Sequence, residues 1–201
     1  LYQKATGQSI TGGLLKPRLL QDVQRDDQPH WFAQEWFIPI AVETAVDGDS
    51  IEEFCMEISR LVHELPGTLA ASVTRPDGMA THDASRVELL IEHLRYGVVA
   101  VNAWSALAYA VANIPWGGFP GGTIEDPQSG IGHVHNPQFL PLAHNSILRA
   151  PLRVWPTPPW FPWHRKGEQL ARGVTGMYAA IAEGKGGLWN LVGMLPDVFR
   201  S

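Results

Sequence analysis

The 201-residue chain has one cysteine, Cys55, and no concentration of basic residues. A single cysteine excludes an internal disulfide and agrees with a cytoplasmic location, which we expect. The formal net charge of −5 argues against a nucleic-acid partner, because phosphate binding needs a concentrated basic surface. The sequence also lacks a run of the ~20 consecutive apolar residues that a membrane-spanning helix requires.

The chain begins at Leu1, without a methionine, a charged leader segment or an apolar leader core. We therefore expect it to be a piece of a longer protein, with no export signal in this part. Hydrophobic residues make up 45% of the chain and charged residues 17%, which is typical of a globular protein. A chain of this length can form one domain with a proper core, or a domain plus an appendage.

Helix and strand patterns alternate through the first half of the chain. After a short strand over 17–23, a helix starts at Asp49 or Ser50 and places its apolar residues on one stripe. A buried strand over 69–73 follows, then a second helix ending near Leu94, then the apolar strand 98–101. This order predicts an α/β fold with a parallel sheet and helices on its faces.

Three pieces in a fixed order resemble the C-terminal part of the aldehyde dehydrogenase superfamily. They are a strand that ends at Asn102, then Pro115-Trp116-Gly117-Gly118, then Ser129-Gly130-Ile131-Gly132. The family has a G-x-V-x-V-N strand followed by P-F-G-G and S-G-x-G. The resemblance covers residues 17–154 and implies part of a parallel-sheet, three-layer catalytic domain. It divides the chain into the catalytic part over 1–144, an oligomerisation-type strand over 145–154 and an added tail over 155–201.

The resemblance implies NAD or NADP as cofactor and a small-molecule aldehyde as substrate. Residues 34–42 look like the family's E-x-F-G-P-V segment, which assigns the ribose hydroxyls of the cofactor to Glu35 and the nicotinamide ring to Phe37. A carboxylate suits two adjacent hydroxyls because it only accepts hydrogen bonds. Ile38 stands where the family has glycine, and a β-branched residue resists the positive φ that glycine allows. A solvated carboxylate at a strand start is the alternative interpretation of Glu35.

Asn102, Trp104 and Trp116 are the predicted substrate-pocket residues. In open α/β sheets, active sites gather beyond the carboxyl ends of the strands, where Asn102 and the uncharged loop 103–115 are expected. This loop forms either a wall of the pocket for an apolar aldehyde or a helical turn packed into the core. The glycine pair 117–118 allows its backbone to pass close to other backbone or to a ligand.

The family oxidises aldehydes with a cysteine thiolate as nucleophile and a glutamate that activates water. Cys55 is not that nucleophile, since it falls on the apolar stripe of a helix and the family's cysteine lies upstream of E-x-F-G-P. We therefore assign no catalytic residue to this chain and predict that the isolated chain is inactive.

A metal site is a further hypothesis for the histidines. His133 and His135 have the spacing of two zinc ligands on an extended segment, and His144 follows nearby. No third or fourth ligand is evident in the sequence, so we assign no metal.

The end of the chain differs from the family. Residues 145–154 alternate apolar and basic side chains, and Pro151 requires an edge or a bulge if the segment is a strand. This strand predicts a homo-oligomer, and a non-catalytic assembly module is the alternative function. Residues 155–201 are predicted to form a Pro- and Trp-rich linker and a helical tail, with a helix over 168–183. This tail covers the catalytic part or a partner subunit, or anchors the chain at a membrane surface, which the net charge opposes.

Overall fold

The computed structural model describes residues 3, 7, 15–140, 145–158, 161, 164–185 and 192–196. The chain divides into two compact units, residues 1–150 and residues 151–201. The first unit is a mixed α/β structure with small parallel sheets, which confirms the predicted α/β class.

The first two strands, β1 (Arg18–Leu20) and β2 (Ile40–Val42), pair in parallel as a separate small sheet. Strand β1 is shorter than the strand predicted over 17–23, and β2 occupies only the last three residues of the segment 34–42. For β2 the reason is local, because Phe37 has a φ of 49° and leaves the extended conformation.

Helix α1 (Ile51–Glu64) begins at the predicted capping site. The Ser50 hydroxyl accepts the N–H of Glu53 at 3.2 Å, and the Glu53 carboxylate accepts the N–H of Asp49 at 2.9 Å. Two N–H groups that lack helical partners are thus satisfied by side chains. The chain continues through β3 (Ala70–Val73), α2 (Thr81–His93) and β4 (Val98–Val101), close to the predicted bounds.

Smaller elements follow β4. They are a short helix α3 (Leu107–Ala110), a two-residue strand β5 (Trp116–Gly117) and its antiparallel partner β6 (His133–Val134). The last strand, β7 (Ser146–Arg149), returns to the main sheet. It ends before Pro151, so the strand predicted over 145–154 is shorter, in keeping with the missing N–H of proline.

The main sheet has the order β3-β4-β7, with all strands parallel. Ala71 and Ile147 flank Val99 on its two sides. The core of this unit consists of residues from β4 and from the end of α2, packed against residues of α1, β3 and β7: Ile91, Leu94, Tyr96, Val99 and Val101, with Val62, Ala71, Val73, Val87, Leu90 and Ile147.

Strand β4 is buried on both faces. Val99 and Val101 point into the core formed with the helices, whereas Val98 and Ala100 point the other way and are equally buried. Continuous burial of this kind explains why the strand is an unbroken apolar run. It also fixes where β4 ends, at Asn102.

The second unit contains helix α4 (Gly167–Ala182), which was predicted over 168–183. Its buried residues are Leu170 and Met177. Met194, in the helical residues 192–196, lies against Gly173 of this helix. None of the helices in the described part of the chain is long and apolar enough to cross a membrane.

Candidate functional site

Glu35 and Phe37 line the same open cleft, which has a volume of about 540 Å³. Among the described residues its lining comes from the segment 31–42 alone. Trp31 and Trp36 also line the cleft: the indole N–H of Trp36 donates to the carbonyl oxygen of Trp31 at 3.1 Å, and the centroids of the two rings lie 4.9 Å apart. These contacts hold the loop that carries Glu35 and Phe37.

The strained residue in this loop is Phe37, not Ile38. Phe37 has a φ of 49°, in the left-handed region, and its ring is 86% exposed. Ile38 keeps a negative φ. Isoleucine at position 38 therefore causes no backbone conflict, because the preceding residue, Phe37, makes the turn.

Asn102 lies at the carboxyl end of β4, as the strand pattern predicted. The side-chain oxygen of Asn102 accepts a hydrogen bond from the main-chain N–H of Arg75 at 2.7 Å. The main-chain N–H of Asn102 donates to the carbonyl oxygen of Val73 at 2.9 Å. Asn102 has a φ of 56°, a conformation that asparagine adopts more readily than most residues. The side chain is thus used to tie the ends of β3 and β4 together.

The same edge of the sheet holds an ion-pair cluster that the sequence analysis missed. Glu88 of α2 accepts from Arg149 at 2.9 Å and from Arg75 at 3.4 Å. The hydrogen bond from Arg149 holds the pKa of the Glu88 carboxyl below its usual range, against the opposing effect of burial. Glu88 in turn raises the pKa of Arg149. No local pattern announces this cluster, because Glu88 and Arg149 are 61 residues apart.

The loop 103–115 contains the short helix α3 in its middle. For these residues the structure agrees with the second of the two interpretations, a helical turn packed into the core. Ala108 is fully buried there. Trp104 lies earlier in the loop with 57% of its surface exposed. Tyr109 contacts Trp116 edge-on at 5.5 Å and the ring of His135 at 4.8 Å.

The two glycine motifs meet in space. Trp116 and Gly117 pair with Val134 and His133, and the N–H of Gly118 donates to the carbonyl oxygen of Gly132 at 3.0 Å. A side chain at Gly118 would collide with the backbone of Gly130. The glycines thus serve backbone-to-backbone packing, one of the two uses expected of them.

The intervening loop 119–128 is anchored to the helical side of the unit. The side-chain oxygen of Gln128 accepts the N–H of Gly67 at 2.6 Å. Arg95 donates to the carbonyl oxygen of Pro120 at 2.9 Å and lies over the ring of Phe119 at 5.1 Å.

The residues predicted for the substrate pocket do not form one group with Glu35 and Phe37, the residues predicted to bind the cofactor. Gly117, next to Trp116, lies against Gly97 at the start of β4, whereas Asn102 follows its end. A strand of four residues spans roughly 13 Å. Asn102 and the backbone of Trp116 therefore lie at opposite ends of β4, and neither lines the cleft of Glu35 and Phe37.

Cys55 is buried in α1, and burial raises the pKa of its thiol. Both features disfavour a nucleophilic thiolate. Two of the histidines considered as zinc ligands contact other side chains. The Nε2 atom of His133 lies 3.3 Å from the side-chain nitrogen of Asn136, and the ring of His135 packs on Tyr109. His144 lies outside the described residues. Within those residues, no group of three or more histidine, cysteine or acidic side chains could hold a metal ion.

Comparison of the chain with protein-family models, with curated proteins and with solved structures finds no match in any of the three.

Proposed function

We propose that residues 17–154 are the C-terminal part of the catalytic domain of an NAD(P)-dependent aldehyde dehydrogenase that oxidises an aldehyde to a carboxylic acid. The observation that carries the proposal is the open cleft that is lined by an exposed carboxylate, Glu35, and an exposed aromatic ring, Phe37. The cleft is open to solvent and has a volume of about 540 Å³.

The two side chains fit the nicotinamide half of the cofactor. The Glu35 carboxylate has acceptors for both ribose hydroxyls, and the Phe37 ring offers an apolar face to the planar nicotinamide. When bound, NAD or NADP supplies a hydride acceptor for the oxidation. This chain's residues contribute binding and orientation at that end of the site.

Further support comes from the order of the elements. In this chain the fully buried strand before Asn102 is followed by the two glycine motifs, which is the order of the strand, P-F-G-G and S-G-x-G segments in the resembled family. The three-layer catalytic domain of the family, with the second unit as an added tail, is the fold that we propose for the parent protein.

The proposal places the nucleophile and the base outside these 201 residues. Cys55 is the chain's one cysteine, and it is buried with a raised pKa. The isolated chain is therefore expected to bind part of the cofactor without turning over aldehyde.

Cofactor binding can be tested with reduced nicotinamide mononucleotide, which carries only the half that Glu35 and Phe37 would contact. We expect saturable binding that Glu35→Gln weakens about tenfold, because charge-assisted hydrogen bonds to the ribose are lost. Phe37→Ala should weaken it as well. The control is Glu125→Gln, which removes an exposed carboxylate from the loop 119–128. Binding that survives both cleft variants would remove the proposal.

Turnover is the second test. The isolated chain, mixed with NAD or NADP and a series of aldehydes, should form no NADH or NADPH detectable at 340 nm. Aldehyde-dependent reduction of the cofactor by the isolated chain would overturn the assignment of the nucleophile to another segment.

A non-catalytic assembly role is the second candidate, favoured by one observation. Within the described residues β7 pairs only with β4, so one edge of β7 has free backbone groups. The N–H groups of Ser146 and Ala150 point to β4, which leaves that of Ile147 on the free edge.

The assembly role predicts a homo-oligomer in light scattering that Ile147→Pro dissociates. Ile147→Ala is the matched control, since it removes the same side chain but keeps the N–H. A monomer at all concentrations would exclude this role.

A further inference from the structure

Helix α4 has two neighbouring apolar stripes, of which only one is covered by the residues that the structure describes. Leu170 and Met177 are buried. Val174, Tyr178 and Ile181, spaced by four and three residues, are 39%, 64% and 50% exposed. At ~100° per residue, the centres of the two stripes lie about 60° apart around the helix. The apolar face of α4 is therefore wider than the part that the second unit covers.

The charge of the chain is divided unequally between the two units. Residues 1–150 have nine basic and seventeen acidic residues, a net charge of −8, whereas residues 151–201 have six basic and three acidic residues, a net charge of +3. The overall charge of −5 thus describes the first unit and conceals a basic second unit. The argument that the negative net charge opposes an anionic partner therefore does not apply to the second unit.

Several basic side chains of this unit are available to a partner. Within the described part of the chain, no ion pair involves Arg153, Arg165 or Lys166. Arg172 pairs with Glu168 at 2.8 Å, but both side chains are more than 70% exposed. Exposed pairs of this kind are weak and compete poorly with a charged surface.

We propose that the second unit docks on an anionic phospholipid surface. The stripe of Val174, Tyr178 and Ile181 enters the boundary between headgroups and acyl chains, and Arg165 and Lys166 contact the headgroup phosphates. Amphipathic helices bind membranes through this combination of buried apolar area and attraction to anionic lipids. Tyrosine suits the boundary, since its ring is apolar and its hydroxyl is polar.

A second copy of the chain is a less suitable occupant of this stripe. Symmetric contact between two such stripes would bring together two units of charge +3, which repel each other. Anionic lipid has the complementary charge. The docking role is independent of cofactor binding in the first unit.

Vesicle sedimentation of the full chain tests the proposal. We expect the chain to bind vesicles of 70% phosphatidylcholine and 30% phosphatidylserine on the order of 25-fold more tightly than vesicles of phosphatidylcholine alone, at about fivefold for each of the two basic residues at the headgroups. Raising NaCl from 0.1 to 0.5 M should weaken the binding. Equal binding to both vesicles, or binding to neither, would overturn the proposal.

The apolar stripe is tested by the double variant Val174→Asp/Ile181→Asp. Its control, Gln169→Asp/Thr175→Asp, makes the same charge change on other sides of α4. We expect the first variant to lose at least tenfold more affinity than the control. Equal losses would contradict the role of the stripe, and a concentration-dependent dimer that only the first variant abolishes, without vesicle binding, would assign the stripe to a second copy.

A labelling experiment keeps the test decisive if the double variant loses its helical circular dichroism. An environment-sensitive fluorophore on Tyr178→Cys should shift to the blue on vesicles that contain phosphatidylserine, whereas the same fluorophore on Thr175→Cys should not. No shift at either position would refute insertion of this stripe.

Discussion

The main-chain N–H of Arg75 donates to the side-chain oxygen of Asn102 across 2.7 Å. This bond joins the segment after β3 to the residue that ends β4. Asn102 also has a φ of 56°. Its side chain is therefore fixed by a hydrogen bond, and its backbone has the left-handed conformation. The hydrogen bond between Arg75 and Asn102 connects the ends of β3 and β4. The ion pairs of Glu88 with Arg75 and Arg149 connect the same end of the sheet to α2.

Substitutions of Asn102 should separate the contribution of its side-chain hydrogen bond to stability from that of its tolerance for a positive φ. Asn102→Asp keeps an acceptor and the tolerance for positive φ, so we expect little loss of stability. Asn102→Gly loses the acceptor only, at about 1 kcal/mol, and Asn102→Ala adds backbone strain of about 1 kcal/mol more. Urea unfolding of the three variants measures this order, and equal stability of the glycine and alanine variants would contradict the strain.

Glu88 should make stability depend on pH. Its pKa is lower in the folded chain than in the unfolded one, so its stabilisation is complete above the unfolded pKa of about 4.3. The stabilisation is lost as the pH falls through the lower, folded pKa. Glu88→Gln should therefore destabilise the chain by about 1 kcal/mol at pH 7, allowing for solvent screening, and by progressively less below pH ~4.

Glu57→Gln is the matched control for Glu88. Glu57 pairs with Arg60 on the surface of α1, and loss of such a pair should change the free energy of unfolding by no more than about 0.5 kcal/mol. Chemical denaturation of both variants between pH 3 and pH 7 makes the comparison. A constant difference between Glu88→Gln and the unsubstituted chain over that range would contradict the role of its ionisation.

Gly97→Ala should be strongly destabilising. An added methyl group at Gly97 would overlap the carbonyl oxygen of Gly117, and backbone cannot move aside as a flexible side chain can. We expect a loss of about 3 kcal/mol or an insoluble product. Gly176→Ala is the control: it has free space around it within α4 and should gain about 0.5–1 kcal/mol. Thermal unfolding distinguishes the two, and equal melting temperatures would contradict the close contact.

Cys55 should react slowly in the folded chain. Its thiol is buried and its pKa is raised, so both access and thiolate concentration are low. We expect the reaction with a disulfide reagent to be on the order of 100-fold slower in the native chain than in denaturant. The comparison variant is Cys55→Ala/Met56→Cys, which moves the thiol to an exposed neighbour on α1. Similar native rates for the two thiols would contradict the core position of Cys55.

The elements that the sequence predicted best have signals within a few residues of one another. Helix α1 begins at Ser50 because a capping hydroxyl and Glu53 lie three residues apart. Strand β4 was predicted at its observed bounds, 98–101, since a continuous apolar run between Gly97 and Asn102 suits only a strand buried on both faces. The turn before β2 was not predicted, because the left-handed φ of Phe37 has no sequence signal comparable to glycine.

Contacts between distant segments could not be predicted from patterns that involve only neighbouring residues. The cluster of Arg75, Glu88 and Arg149 depends on three elements meeting at one edge of the sheet. Likewise, the order of the glycine motifs was visible in the sequence, but their pairing required the loop 119–128 to close.

By itself the sequence determined the α/β alternation, the bounds of the main helices, the buried strand β4 and the core position of Cys55. These follow from hydrophobic period and capping, which act between near neighbours. Only the tertiary structure decided that Asn102 and the backbone of Trp116 lie at opposite ends of β4, that Arg75, Glu88 and Arg149 meet, and that an apolar stripe of α4 stays exposed. Those outcomes depend on which surfaces the folded chain brings together, and a local pattern contains no such information.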